Sequence, residues 1–248
     1  MNLLDLSKVH PSWDSFLTQE KIDYIKYLEK ILPENINPEP KNVLRFLYTD
    51  KNNIKCVIVG QDPYPALPKE VEGNLTYIAT GRSFEIGTLK SWNEKFAQHS
   101  LKNMVRLIYK AYYNELITYE ECKKKISSGD FPILHPDKWY DAMEEQGVLF
   151  LNKTLSCEQG KPLSHKDLWN DFSTDLILNL SDNEDINWFL WGGEARNLKQ
   201  YISKGKIYEA EHPRLYNTTK EDAFLNSKCF EETKNIVCWL TDILPPLK

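Results

Sequence analysis

Ile54-Lys55-Cys56-Val57-Ile58-Val59-Gly60-Gln61-Asp62-Pro63-Tyr64-Pro65 is the stretch on which the fold turns. Its apolar, β-branched half (Cys56 to Val59) reads as a buried strand, and Gly60 ends it abruptly. The strand then delivers an amide, a carboxylate and a phenol onto a loop stiffened by Pro63 and Pro65. In open α/β sheets, ligands bind just outside the carboxyl ends of the strands. Asp62 is therefore the first candidate reactive group.

Working outward, three more short apolar runs read as buried strands beside 54–59: 148–151, 187–191 and 206–210. Helical periodicity lies between and around them. Residues 100–116 carry Leu101, Met104, Val105, Ile108, Tyr112 and Leu116 on one stripe. Residues 165–180 carry Trp169, Phe172, Leu176 and Leu180, and 195–202 carry Leu198, Tyr201 and Ile202. Flanking helices are expected at 18–32 and 227–241, and the proline-rich segment from Pro33 to Pro40 reads as a connector. Strands alternating with helices predict an α/β fold: a central four-stranded, mostly parallel sheet with helices on both faces. One domain is expected to span 1–248.

Composition narrows the function classes. At 248 residues with 12% aromatics, the chain can bury a substantial core. No apolar run approaches the roughly 18–20 residues of a membrane span. The N-terminus lacks the basic region of a signal peptide. Five widely spaced cysteines without a CxxC pair argue against a disulfide framework or zinc site and for a reducing, cytoplasmic home. The net charge of −5 disfavours a nucleic-acid coat protein, yet residues 195–228 carry +3, leaving −8 elsewhere. Phosphate binding depends on where charges sit, so a local basic face stays open.

The chemistry collects where the strands end. Gln61, Asp62 and Tyr64 follow the first strand, and Asn152 ends the second. Trp191-Gly192-Gly193 closes the third, and Glu211-His212-Pro213 follows the fourth. A parallel sheet brings these exits to one edge, so Asp62, Asn152 and His212 are expected to converge on a pocket for a polar ring. Each alone is more often a cap or turn residue. Their coincidence at three exits is what points to a site.

These motifs resemble the family 1 uracil-DNA glycosylases. Gly60 to Pro65 resembles that family's water-activating motif, and His212-Pro213-Arg214-Leu215-Tyr216-Asn217 its histidine and DNA-inserting loop. Similar matches run along the chain: His10-Pro11-Ser12-Trp13, Gly81-Arg82-Ser83-Phe84, Ser100-Leu101-Lys102-Asn103, Gln146 to Asn152, Ser164-His165-Lys166 and Phe189-Leu190-Trp191-Gly192. The resemblance implies a monofunctional enzyme that flips deoxyuridine out of DNA and hydrolyses its N-glycosidic bond, needing no metal or cofactor. Phe84 would stack on uracil, Asn152 would read its O4/N3 edge, and Tyr64 would exclude thymine's methyl. His212 and backbone amides near Gln61 would stabilise the departing base, and Asp62 would face the sugar and the water. DNA contacts are implied at Pro65, Ser100, Ser164, Gly192, Gly193, Pro213, Arg214, Leu215, Tyr216 and Asn217. The inserting wedge is Tyr216 by register and Leu215 by chemistry, with Leu215 favoured.

The chain departs from the family pattern in how it would grip DNA. Pro65 stands where most cellular members have His, and Ala66 to Thr80 is longer than usual. Residues 90–99 replace a proline-rich loop, Gly193 replaces a phosphate-contacting Ser, and Arg214 and Asn217 replace serines. The implied partners are uracil-containing DNA and a DNA-mimicking inhibitor or replication protein, with the chain itself a monomer. Two alternatives stay open at this point: a DNA-bound adaptor on the same fold, and an α/β enzyme acting on free nucleosides.

Overall fold

A computed structural model describes residues 1–71 and 73–243. Eight strands occur among them: β1 (Ile36–Asn37), β2 (Cys56–Gly60), β3 (Lys69–Val71), β4 (Asn74–Thr76), β5 (Val148–Asn152), β6 (Cys157–Glu158), β7 (Asn187–Trp191) and β8 (Lys206–Ala210). The helices are α1 (Gln19–Ile31), α2 (His99–Tyr113), α3 (Tyr119–Ser128), α4 (Pro136–Glu145), α5 (Lys166–Leu180), α6 (Gly193–Arg196) and α7 (Cys229–Thr233). The four apolar runs form one sheet in the order β5-β2-β7-β8, parallel throughout.

Every residue of β2, β5 and β7 is buried, as a sheet covered on both faces requires. The strand period of two divides these side chains between two cores. Cys56, Ile58, Val148, Phe150, Phe189 and Trp191 meet the buried faces of α2, α4 and α7. Val57, Val59, Leu149, Leu151, Trp188 and Leu190 meet α1 and α5. The path leaves β2 toward β5 on one side, whereas β7 leads to β8 on the other. The connections thus diverge between β2 and β7, the switch point where such sheets open a crevice.

Three helical expectations need correction. The 100–116 stripe ends at Tyr113 because Asn114 turns left-handed (φ 56°) and caps α2, leaving Leu116 outside it. The 195–202 segment is the four-residue α6 followed by a tight 3-10 turn at Asn197–Tyr201. The expected 227–241 helix stops at Thr233. Ile236 and Val237 N–H close on Thr233 O (2.9 and 3.0 Å), and beyond them the backbone is bonded to other elements. Trp139 Nε1 donates to Trp239 O (2.7 Å), Gln146 Nε2 to Thr241 O (2.8 Å), and Trp239 N to the Tyr112 hydroxyl (3.0 Å).

Two helices lack a counterpart in the sequence reading. α3 opens on a capping box between Thr118 and Glu121, and α4 on Pro136 at its first position. The long 66–80 stretch contains the exposed β3–β4 hairpin. The Pro33–Pro40 connector contributes β1, which pairs antiparallel with β6 behind the Asp62 loop.

Candidate active site

Gly60 ends β2 beside Asn152 at the end of β5, in direct register. A Cβ on Gly60 would lie 2.4 Å from Asn152 Oδ1 and 2.8 Å from Ser83 Cβ, so only glycine leaves the carboxamide its place. Asn152 is 4% exposed, and its side chain has no hydrogen-bond partner among the described residues. An amide held in a buried wall with its donors and acceptor free is poised to read a ligand's edge.

The loop after Gly60 is tied down on both sides. Thr154 N–H donates to Gln61 O (2.9 Å) and Gly160 N–H to Pro65 O (2.7 Å). Asn37, placed by the short β1–β6 ladder, donates from Nδ2 to Tyr64 O (2.9 Å) and Ala66 O (2.8 Å). Tyr64 points its hydroxyl at Phe84 O (3.3 Å), so its ring is tied to the Phe84 backbone. Phe84 itself has φ 63°, a backbone conformation a bulky residue adopts only under constraint.

Asp62 Oδ2 accepts the Leu163 N–H at 2.9 Å, and Leu163 is also left-handed (φ 61°). One carboxylate oxygen is therefore anchored and the other stays available. Burial raises the Asp62 pKa above the ordinary carboxylate value of 3.8, with the Leu163 hydrogen bond opposing it. Burial, and secondarily the Arg214 charge, lowers that of His212 below 6.5. His212 Nδ1 accepts the Arg214 N–H (3.2 Å), which puts the proton of the neutral ring on Nε2. Gly192, at φ +86°, lets the His212 ring lie against the end of β7; a Cβ there would meet His212 Cβ at 3.1 Å.

Gln61, Asp62, Tyr64, Pro65, Phe84, Ser100, Asn152 and His212 line one cavity of about 160 Å³. Beside it, Gly192, Gly193, Arg214 and Leu215 line a more open one of about 430 Å³, which shares Gln61, Phe84 and His212. The convergence expected of Asp62, Asn152 and His212 thus occurs. Leu215 (41%) and Tyr216 (56%) are exposed at the rim, with the Tyr216 hydroxyl bonded to His99.

Other expected contacts are already engaged within the protein. Ser164 Oγ accepts the Glu158 N–H (2.7 Å), and Asn217 Oδ1 accepts Thr219 N–H (2.9 Å). Pro213 is buried, its carbonyl held by Asn103 Nδ2 at 2.7 Å. Leu163, Asn37 and Asn103 are site residues that the sequence reading missed. Only Asn103 carried a signal, as the last residue of the Ser100 motif. Among the described residues, no three His, Cys, Asp or Glu side chains gather as a metal would require. No helix among them is long and apolar enough to cross a membrane.

No protein-family model matches the chain. Among solved structures, the UNG of Nitratifractor salsuginis is similar with a TM-score of 0.69 at 21% identity, covering 94% of this chain and 92% of that one. Mimivirus uracil-DNA glycosylase follows with 0.62 at 24%, covering 88% and 74%. These share the fold. Among curated proteins, the uracil-DNA glycosylase of Fusobacterium nucleatum is 28% identical over 94% of this chain and 92% of its own length. That of Borrelia turicatae is 30% identical over 239 residues, 91% of this chain and 92% of the relative. With that identity sustained along nearly the whole of both proteins, this chain belongs to the uracil-DNA glycosylase family.

Proposed function

We propose that the chain works as one unit that removes uracil from DNA, with the nucleotide flipped into the cavity between β2, β5 and β7. The observation that carries this reading is the meeting of Asp62, Tyr64, Phe84, Asn152 and His212 around about 160 Å³. That is smaller than the roughly 300–1,000 Å³ of drug-sized ligand pockets and suits a single ring. Flipping costs a few kcal/mol of unstacking.

In the cavity, the Phe84 ring stacks on the base and the free Asn152 carboxamide pairs with its O4/N3 edge. Cytosine reverses donor and acceptor there and is disfavoured. Tyr64, held through Phe84 O, closes the space beside C5 against a methyl group. As the glycosidic bond breaks, negative charge gathers on uracil and positive charge on the sugar. The Nε2–H of neutral His212 donates to uracil O2, a preorganised contact of the kind worth about 10²–10³ in rate. The free oxygen of Asp62 faces the sugar cation and orients the attacking water, while its partner oxygen stays on Leu163 N–H. Leu215, exposed at the rim, fills the vacated base stack.

A mimivirus UNG variant has been solved in complex with UGI. The open cavity around Gly192 and Arg214 is where an inhibitor imitating DNA would seat on this chain. The adaptor alternative is not favoured, since the cavity keeps every group the reaction calls for.

A single-uracil oligonucleotide assayed on a denaturing gel after alkaline cleavage tests the reading. Abasic product is expected from the wild type, with large losses in Asp62→Asn and His212→Ala. No product at micromolar protein would refute it.

A further inference from the structure

Glu194 stands at the mouth of the open cavity, in the four-residue α6 that follows Gly192. Its Oε2 lies 3.3 Å from Lys153 Nζ and 3.5 Å from Lys166 Nζ. The two lysines come from separate elements: Lys153 follows Asn152 at the end of β5, and Lys166 begins α5. Lys153 is largely enclosed, its side chain 15% exposed, and its N–H donates to Gly60 O at 3.0 Å. The backbone of Lys153 is therefore tied to the residue that opens the Asp62 loop. Two cations converging on one carboxylate oxygen form a cradle for a singly charged oxyanion, and a phosphodiester carries that same charge.

Burial alone would raise the Glu194 pKa, but hydrogen bonding and charge from Lys153 and then Lys166 hold it below its ordinary value of 4.5. The carboxylate is thus ionised at neutral pH. Other cations of the neighbouring segment pair with other acids: Arg196 with Asp222, Lys199 with Glu209 and Lys220 with Glu211. Of these four carboxylates, Glu194 is the one that lines the cavity with Gln61, His212 and Leu215.

We propose that Lys153 and Lys166 form a binding site for a backbone phosphate of the incoming DNA strand, and that Glu194 fills it as an internal carboxylate until the phosphate displaces it. The proposal rests on DNA being the substrate. The chain thereby covers two lysines beside its active site when DNA is absent, and weakens its own grip on product.

The test measures affinity for an uncleavable 2′-fluoro-deoxyuridine oligonucleotide between 50 and 200 mM salt, an interval of about the span over which phosphate contacts are most visible. Glu194→Gln is expected to bind about fivefold tighter at the low end, the effect of removing one charge some 4 Å from a phosphate in water. Its log Kd against log salt should steepen by about 0.9, one phosphate's worth of counterion release. Lys153→Gln with Lys166→Gln, made in that background, should reverse both changes. Thermal melting of each variant checks folding. Unchanged affinity and slope in Glu194→Gln, or weaker binding, would overturn the proposal. Wild-type excision from a cleavable deoxyuridine oligonucleotide of the same sequence, run in parallel, separates that outcome from failure of the glycosylase reading, in which the wild type neither binds nor cleaves.

Discussion

Gly60→Ala is the sharpest probe of the cavity, because it touches no reacting group and yet must move one. The added Cβ would sit 2.4 Å from Asn152 Oδ1, where ordinary contact begins near 3.4 Å, so the carboxamide has to give way by about 1 Å. The new methyl cannot shift away from it freely. Ser83 Cβ crowds that methyl at 2.8 Å, and the Ser83 hydroxyl is fixed on Ile58 O at 3.0 Å. A misplacement of about 1 Å in a positioning group costs about 10²-fold in rate. Overpacking of a filled core costs about 1–3 kcal/mol in stability. Single-turnover uracil release at saturating protein, with thermal melting alongside, separates the two. The expected result is a folded protein with a lower Tm whose uracil release is down by about 10²-fold. Release within threefold of wild type would refute the argument that Gly60 holds open the place of Asn152.

Three more outcomes follow from the same geometry. The neutral His212 predicts an acid-side break in kcat/KM below pH 6.5, and Arg214→Ala, which removes the smaller of two lowering causes, should shift the ring's NMR titration upward. Because that pKa is depressed on folding, His212 contributes stability that is full above pH 6.5 and declines as the unfolded chain protonates below it; titration at or above 6.5 would contradict this. Tyr64→Ala should lower the uracil-over-thymine ratio of kcat/KM by about 10–200-fold, the value of one methyl group in a pocket, and an unchanged ratio would remove Tyr64 as the gate. Leu215→Ala should cut excision from duplex but not single-stranded DNA, since unstacking is needed only in the duplex; a larger loss in Tyr216→Ala would transfer the wedge to Tyr216.

Much of the architecture was legible because the four strands are short apolar runs bounded by glycine or polar residues. β7 and β8 begin and end where the pattern predicts, and β2 is shifted only to Cys56–Gly60. α3 was missed although Thr118 and Glu121 spell a capping box, because its mean hydropathy is low and only Cys122 on it is buried. The overextended C-terminal helix shows the opposite failure. The apolar spacing of Phe230, Val237 and Leu240 is real, but Trp139, Gln146 and Tyr112 compete for the backbone after Thr233.

The sequence by itself determined the sheet, the exits that carry chemistry and the identity of the groups at them, since these follow from local hydrophobic period and from residue type. Tertiary structure alone decided their state. Asp62 keeps one oxygen occupied because Leu163, 101 residues away in sequence, turns its N–H toward it. Asn152 owes its place to the missing Cβ of Gly60, and Glu194 meets two lysines contributed by a strand end and a helix start. Contacts of this kind depend on which segments the sheet brings together, and periodicity along a chain carries no record of that.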